Sequence, residues 1–369
     1  MDFRSPTNEK GIALFLVLWV LVLLSVIVGE FCHAMRTEIN VTRNYKEQRQ
    51  AYYIALAGFN RAVAELVRQE TAGVRPVVRD EGITNILQSL LKQVPLKEEP
   101  IEEEAETEKS QWRINVKIPP EEFGAGHFEV WIGNESGKVD INHANESMLK
   151  MLLDAFDLDE KEKSVIVDSI LDWRDDNDLH RLNGAEDDYY RSLKRPYECK
   201  DADFDAVEEL LLVRGVTDEL FYGGLREMVT VTDSSPAGRR QDPKAVRSIK
   251  VSGGQLININ AASPRILLAL PGMTQEEVDA IIAFREEADL LTLNDLISAI
   301  GGDAAAMIQP FVTFEPSPYY TVEVVGRVGG EAPARQGIEA LVQIDKGQKT
   351  GYRILRWRDG LRHERLEGM

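Results

Sequence analysis

The chain has 369 residues and a formal net charge of −19, with a pI near 4.8. That length holds two or three domains with real cores, and the acidity excludes a surface built to grip nucleic-acid phosphates non-specifically. Two cysteines, Cys32 and Cys199, are too few for a disulfide framework, and their distance in sequence argues for reduced or buried thiols.

The first element is the run Gly11–Gly29, GIALFLVLWVLVLLSVIVG, in which only Ser25 is polar between Ile12 and Val28. At about 1.5 Å per residue such a helix covers the roughly 30 Å hydrocarbon core of a bilayer. It predicts a single membrane pass near the N-terminus, and the residues behind it supply only a poor signal-peptidase site. In front stands a short polar leader, MDFRSPTNEKG, that carries Arg4 and Lys10 and ends on Gly11. A glycine there leaves an unhindered bond for a cytoplasmic protease.

Beyond the apolar run no proline interrupts residues 12–75. Tyr45, Tyr52, Ala55, Phe59, Ala62, Val63 and Leu66 recur at helical spacing, so the membrane helix is expected to continue as the spine of a soluble domain and to end at Thr71-Ala72-Gly73. Gly58 is the weak point of that pattern. A short helix is expected at Ile83–Leu91, and the tract 97–110, rich in glutamate, reads as a solvated linker. Strands are expected at Trp112–Ile118, His127–Ile132 and Lys138–Asn142.

An internal repeat follows. INHANESMLKML at Ile141–Leu152 aligns with ININAASPRILLAL at Ile257–Leu270 when Ile141 is set on Ile259, which pairs Asn142 with Asn260 and Ala144 with Ala262. Each copy runs into a second amphipathic helix, one ending in Trp173-Arg174 and the other in Phe284-Arg285. A third copy of the central piece is ELLLVRGVT, Glu209–Thr217. These read as helix-turn-helix units with an Asn or Ser cap. Such hairpins also occur in membrane-anchored DNA receptors, the rival reading, but the second hairpin is flanked by Gln275, Glu276, Glu277 and Asp279 instead of lysines. Strands are then expected at Met228–Thr232 and Ser248–Ile259, three short helices at Pro264–Met307, and a meander at Phe311–Phe314, Tyr319–Val328, Gln336–Ile344 and Tyr352–Trp357.

Between the first two repeat units, LDWRDDNDLHRLNGAEDDYYRSLKRPYECKDADF gathers oxygen side chains: Asp172, Asp175, Asp176, Asn177, Asp178, Glu186, Asp187, Asp188, Asp201 and Asp203. Closely spaced oxygen side chains in a glycine-containing loop suit a hard cation, because calcium takes about six to eight oxygen ligands. The spacing is not that of an EF-hand, and His180 stands alone, which removes zinc. A solvated acidic loop is the alternative. No GxSxG, P-loop, HExxH or dinucleotide motif is present, so no enzyme is expected.

Leader, apolar helix, ESGKVDIN, DWRDDND, GAEDDYY, ELLLVRGVT and ININAAS together resemble the K-type minor pseudopilins of the general, type II secretion pathway. The resemblance implies an α+β fold: a long spine helix on an antiparallel pilin-like sheet, with a large inserted all-α domain of helix-hairpin-helix-like repeats. The expected divisions are a cleaved cytoplasmic leader 1–11, a transmembrane helix 12–29 and its amphipathic continuation 30–75. Then come a pilin-like part from 76–141 and 228–260, a helical insertion 142–227, a second repeat 261–309 and a meander 310–369. It also implies cleavage by prepilin peptidase after Gly11 and methylation of Ile12. Leu16 stands where major subunits carry a glutamate, as expected of a subunit at the filament tip. The implied partners are I- and J-type minor pseudopilins, the pseudopilus and the inner membrane, with the bulk of the chain in the periplasm and no nucleic acid. Carried over residue by residue, a structural calcium falls to Asp175, Asn177, Glu186 and Asp187, with Asp178 able to compensate for the asparagine.

Overall fold

The computed structural model describes residues 9–72, 112–232, 255–330 and 333–360. Helix α1 spans Glu9–Ala72 without a break, 64 residues or about 95 Å at 1.5 Å per residue. Its N-terminal part is long and apolar enough to cross a membrane, and the side chains from Leu14 to Tyr45 are exposed. From Ala51 onward the helix has a buried stripe: Ala51, Ile54, Ala55, Phe59, Ala62, Val63 and Leu66 recur at three- and four-residue steps and cover one face of a sheet. Tyr45, expected on that stripe, lies before the sheet begins and is exposed.

The sheet has five antiparallel strands in the order β1-β2-β7-β8-β9: β1 Glu121–Phe123, β2 Gly126–Asn134, β7 Tyr319–Val328, β8 Ala334–Ile344 and β9 Tyr352–Asp359. Its register stacks the core. Val130 opposes Val324, which opposes Ile338, and Ile132 opposes Val322, which opposes Ala340. These side chains meet α1, and Trp357 of β9 packs edge-on against Phe59 with ring centroids 4.9 Å apart.

The close approach of helix and sheet depends on two glycines. A Cβ on Gly58 would lie 2.7 Å from the Phe128 ring and 2.8 Å from Val324. One on Gly326 would run into the backbone of α1 at Ala51 and Ala55. Gly58 is therefore a contact point in the packing, whereas the sequence pattern reads it as a weakness in the helix.

The described residues between β2 and β7 form a second body with its own core. It contains strand β3 (Val139–Asp140) and helices α2 (Glu146–Leu153), α3 (Glu160–Arg174), α4 (Asp187–Arg191), α5 (Asp218–Leu220) and α6 (Arg226–Met228). Strands β4 (Val229–Thr230) and β5 (Ile257–Asn258) follow, then α7 (Pro264–Ala269), α8 (Gln275–Glu287), α9 (Leu293–Ile300), α10 (Gly302–Ile308) and β6 (Val312–Thr313). Of residues 228–260, expected to belong with the sheet, the described strands pair inside this body: β4 in parallel with β3, and β5 with β6. Trp112–Ile118 forms turns instead of a strand, because Asn115 takes a left-handed conformation (φ 55°) and its side chain donates to the Ala261 carbonyl at 2.6 Å. The expected helix at Ile83–Leu91 and the acidic tract 97–110 lie outside the described residues.

Two parts of the helical body repeat one another bond for bond. Ile141 donates its N–H to the Thr230 carbonyl at 3.0 Å, and Ile259 donates to Thr313 at 2.9 Å. Asn142 holds Phe204 by a reciprocal pair, its amide donating to the carbonyl at 3.0 Å and its oxygen accepting the N–H at 2.8 Å. Asn260 holds Leu290 the same way, at 2.7 and 2.9 Å. Arg174 at the end of α3 donates to the carbonyls of Ile141 and Ala144, and Arg285 near the end of α8 donates to those of Ile259 and Ala262. Helices α2 and α7 start on the side-chain caps Asn145 and Ser263, and α3 and α8 on the capping boxes Asp159–Glu162 and Thr274–Glu277.

Candidate metal centre

Helix α3 delivers Asp172, with its side chain wholly buried, one residue before Trp173, whose ring packs edge-on against the fully buried Tyr190 at 5.2 Å. The chain then leaves the body at Asp175 and returns through the buried stretch Gly184-Ala185-Glu186 into α4. Gly184 has to be glycine, because a Cβ would overlap the Asp172 carboxylate. Asp172 accepts the Arg181 N–H at 3.0 Å, and its other oxygen lies 3.5 Å from the Arg181 guanidinium. After α4 the chain passes Cys199, whose N–H donates to Asp187 at 2.8 Å. It then reaches Asp201, a non-glycine residue in the left-handed region at φ 50°.

This path brings Glu186, Cys199 and Asp201 together, with one ligand atom from each lying within 4.8 Å of the others. Glu186 is only 3% exposed, and its carboxylate oxygens have no hydrogen-bond partner beyond the weak donor of the neighbouring Cys199 thiol; Asp201 Oδ1 is buried and unpartnered. A buried carboxylate so poorly supplied with donors is costly. Burial, opposed by the neighbouring Cys199 thiol and reinforced by the charges of Asp172, Asp201 and Asp175, pushes the Glu186 carboxyl up to about 7. Burial also raises Asp172, opposed by the Arg181 N–H and helped by Asp175 and Asp168. The Cys199 thiol is raised mainly by burial and keeps its proton, so the donors are hard oxygens. A divalent cation held by oxygen would remove the cost of all of these groups together.

The residues expected to hold the ion separate into two sets. Glu186 is in the group, and Asp175 faces it closely enough to raise its affinity for a proton. Asn177 and Asp178 are exposed, and Asp175 Oδ1 accepts both the N–H and the side-chain amide of Asn177 in a local turn. Asp187 is engaged with Cys199 N–H and with Arg191 at 2.7 Å. Asp201 lies in the group and is not one of the carried-over residues. Its place in the acidic run was visible, but the left-handed turn that aims it inward has no sequence signal.

Elsewhere, the turn between α7 and α8 has Gly272 at φ 75°, but the amides at the start of α8 are occupied: Glu277 N–H donates to Thr274, and Thr274 N–H to Glu277 at 2.7 Å. An anion would meet carboxylates there instead of free donors.

Residues 131–234, which include the carboxylate group and the first repeat unit, match the family model described as Type II secretion system (T2SS), protein K. The chain resembles type II secretion system protein K. A curated protein K from Aeromonas hydrophila is 24% identical over 221 residues, which cover 59% of this chain and 62% of that relative. The chain is similar in fold to a chain in the crystal structure of the GspK-GspI-GspJ complex from the enterotoxigenic Escherichia coli Type 2 Secretion System. That match has a TM-score of 0.51 and 14% identity over 86% of this chain and all of the other. At that identity the match speaks for the fold alone, which in this chain is a mixed one with one long N-terminal apolar helix and an antiparallel sheet.

Proposed function

We propose that this chain is a K-type minor pseudopilin that caps the tip of a type II secretion pseudopilus and starts its assembly with I- and J-type subunits. The observation that carries this reading is the protein K match across residues 131–234, the stretch that also contains the orphaned carboxylates. The unbroken α1 supports it: one element supplies both a membrane span and the spine of the sheet domain. Prepilin peptidase would cut after Gly11, leaving Ile12 as a methylated N-terminus. The inner membrane would hold 12–29, with the rest in the periplasm. Leu16 cannot neutralise the amine of a subunit stacked on it, and the helical body is too bulky for the interior of a filament, so both features favour the tip. The two repeat units fit helix-hairpin-helix-like packing architecture, and capped turn amides beside acidic side chains disfavour the DNA-receptor alternative. The reading is structural, with no catalytic role.

We further assign a structural calcium to Glu186 and Asp201, with Asp175 nearby and Asp172 behind. Bound there, calcium would supply charge compensation and fix the chain between α3 and Phe204. Cross-linking in assembled pseudopili tests the tip role: recovery at one end with I- and J-type partners is expected, and an even distribution along the filament overturns it. The mass of the mature N-terminus tests processing; an intact Met1 overturns it. Calorimetric titration tests the ion, with no heat and no rise in melting temperature refuting it.

A further inference from the structure

The duplicated unit makes it possible to see what has been added to one copy. In the second unit the chain needs only residues 286–289 to pass from the clamp Arg285 to Leu290, the residue that Asn260 holds. In the first, the equivalent points are the clamp Arg174 and Phe204, the residue that Asn142 holds, and residues 175–203 lie between them. The candidate metal ligands Glu186 and Asp201 both lie in this extra segment.

We infer that residues 175–203 form a metal-gated flap: the segment opens as one piece when the ion leaves, while the duplicated unit that carries it stays closed. This rests on the calcium reading of the same site.

Both hinges belong to the unit. Arg174 is fixed to the carbonyls of Ile141 and Ala144, and Phe204 to Asn142, so opening the flap breaks neither anchor. The second unit keeps the same clamp and the same asparagine pair with only a four-residue connection, so the unit does not need the flap to close. The flap's apolar contact with the body is concentrated in one place: Ala185, Tyr190 and Cys199 are buried, and Tyr190 and Tyr197 pack their rings on Trp173. Polar ties join the flap to the body at both ends: Arg181 N–H to Asp172 and Asn183 to Asp168 near its start, Arg214 to the Gly184 carbonyl at 3.0 Å, Arg214 N–H to the Tyr190 hydroxyl, Tyr197 hydroxyl to the Leu212 carbonyl at 2.6 Å, and Lys200 to Glu209 at 2.7 Å. Against them stand the buried Glu186 carboxylate and the half-buried Asp201, whose Oδ1 is buried without a hydrogen-bond partner, inside a loop that also bears Asp175, Asp176 and Asp178. An ion that binds only the closed arrangement shifts such a balance by its differential affinity, and the closed body gives the flap a state to open from.

Hydrogen exchange by mass spectrometry on the full chain in detergent, with saturating calcium and with a chelator, tests the inference beside a calorimetric calcium titration. Chelation is expected to speed exchange across 176–202 by ~10-fold or more while 146–174 and 264–308 keep their protection. Replacing residues 175–203 with Glu-Glu-Ala-Asp, the connection of the second unit, is expected to leave exchange in both units protected and to abolish calcium binding. Loss of protection across both units together on chelation overturns the flap. Calcium binding with unchanged exchange in 176–202 overturns the flap and leaves the site standing, whereas no calcium binding removes both.

Discussion

The Glu186 carboxyl should make the metal-free protein's stability fall with rising pH, against the usual trend for a paired carboxylate. Its folded value, pushed up to about 7 mainly by burial, stands above the ordinary 4.5 of an exposed glutamate. The folded state therefore holds this proton more tightly than the unfolded chain. The stabilisation is fully present below pH 4.5, is lost as pH rises through about 7, and amounts to about 3 kcal/mol across that window. Asp172 is raised as well and acts in the same direction. Glu135 is lowered: burial opposes its ionisation, but Lys138 at 2.7 Å and hydroxyl donors prevail. Its own contribution is lost only as pH falls below the carboxylate range, outside the interval tested. Urea denaturation of the full chain in detergent with chelator should thus give a higher stability at pH 5 than at pH 8. Glu186→Gln should flatten the difference, although the unpartnered amide itself costs about 1–3 kcal/mol. Saturating calcium should restore stability at pH 8, by about 2.7 kcal/mol at a hundredfold excess over its Kd. A chelated protein whose stability rises from pH 5 to pH 8, or one whose profile ignores Glu186→Gln, would refute the reasoning.

Gly326→Ala should lower the thermal midpoint by an amount equivalent to about 3 kcal/mol, because its new methyl meets α1 backbone at Ala51 and Ala55 and the helix cannot step aside. Gly58→Ala should cost less, about 1–2 kcal/mol, since the Phe128 and Val324 side chains it meets can shift. Arg285→Met strands the buried carbonyls of Ile259 and Ala262 and should cost about 2–4 kcal/mol by denaturant titration. Arg174→Met should cost less, because Arg174 is more exposed. Asn260→Ala should speed amide exchange at Leu290, whose N–H it accepts at 2.9 Å, without affecting Phe204 in the other unit.

The elements that set the architecture were legible where one local pattern decides them. The alternation in Tyr319–Val328 places that strand to the residue, and the three- and four-residue spacing of Ala55, Phe59, Ala62 and Val63 gives the buried face of α1. The repeat was legible too, and the structure adds what alignment alone does not show: the matched residues Asn142 and Asn260 make the same pair of bonds. Trp112–Ile118 shows where pattern fails. Its alternation is perfect, but the left-handed Asn115 breaks the extended path and ties the segment to Ala261 in the other body. Likewise, the two-residue strands at 229–230 and 257–258 carry no information about which partner they take, and parallel pairing inside the helical body won over the sheet.

The candidate metal group was only partly legible in the sequence, for a reason that is general to acidic loops. Closely spaced carboxylates are noticed first, yet spacing of two is what lets a side chain serve its own backbone, as Asp175 does for Asn177 and Asn177 for Leu179. Such groups are already satisfied and already solvated, so a cation gains little from them. The groups that need an ion are the ones the fold has taken from water without supplying donors. Glu186 caps α4 by position but makes no side-chain cap bond, and Asp201 turns inward across a left-handed step. Fifteen positions separate them in sequence, and both are brought to Asp172 only because Arg174 and Phe204 are fixed to neighbouring points of one repeat unit. The site is therefore a property of the duplicated scaffold as much as of its acids, and disrupting the Asn142–Phe204 pair should weaken calcium binding without removing any ligand.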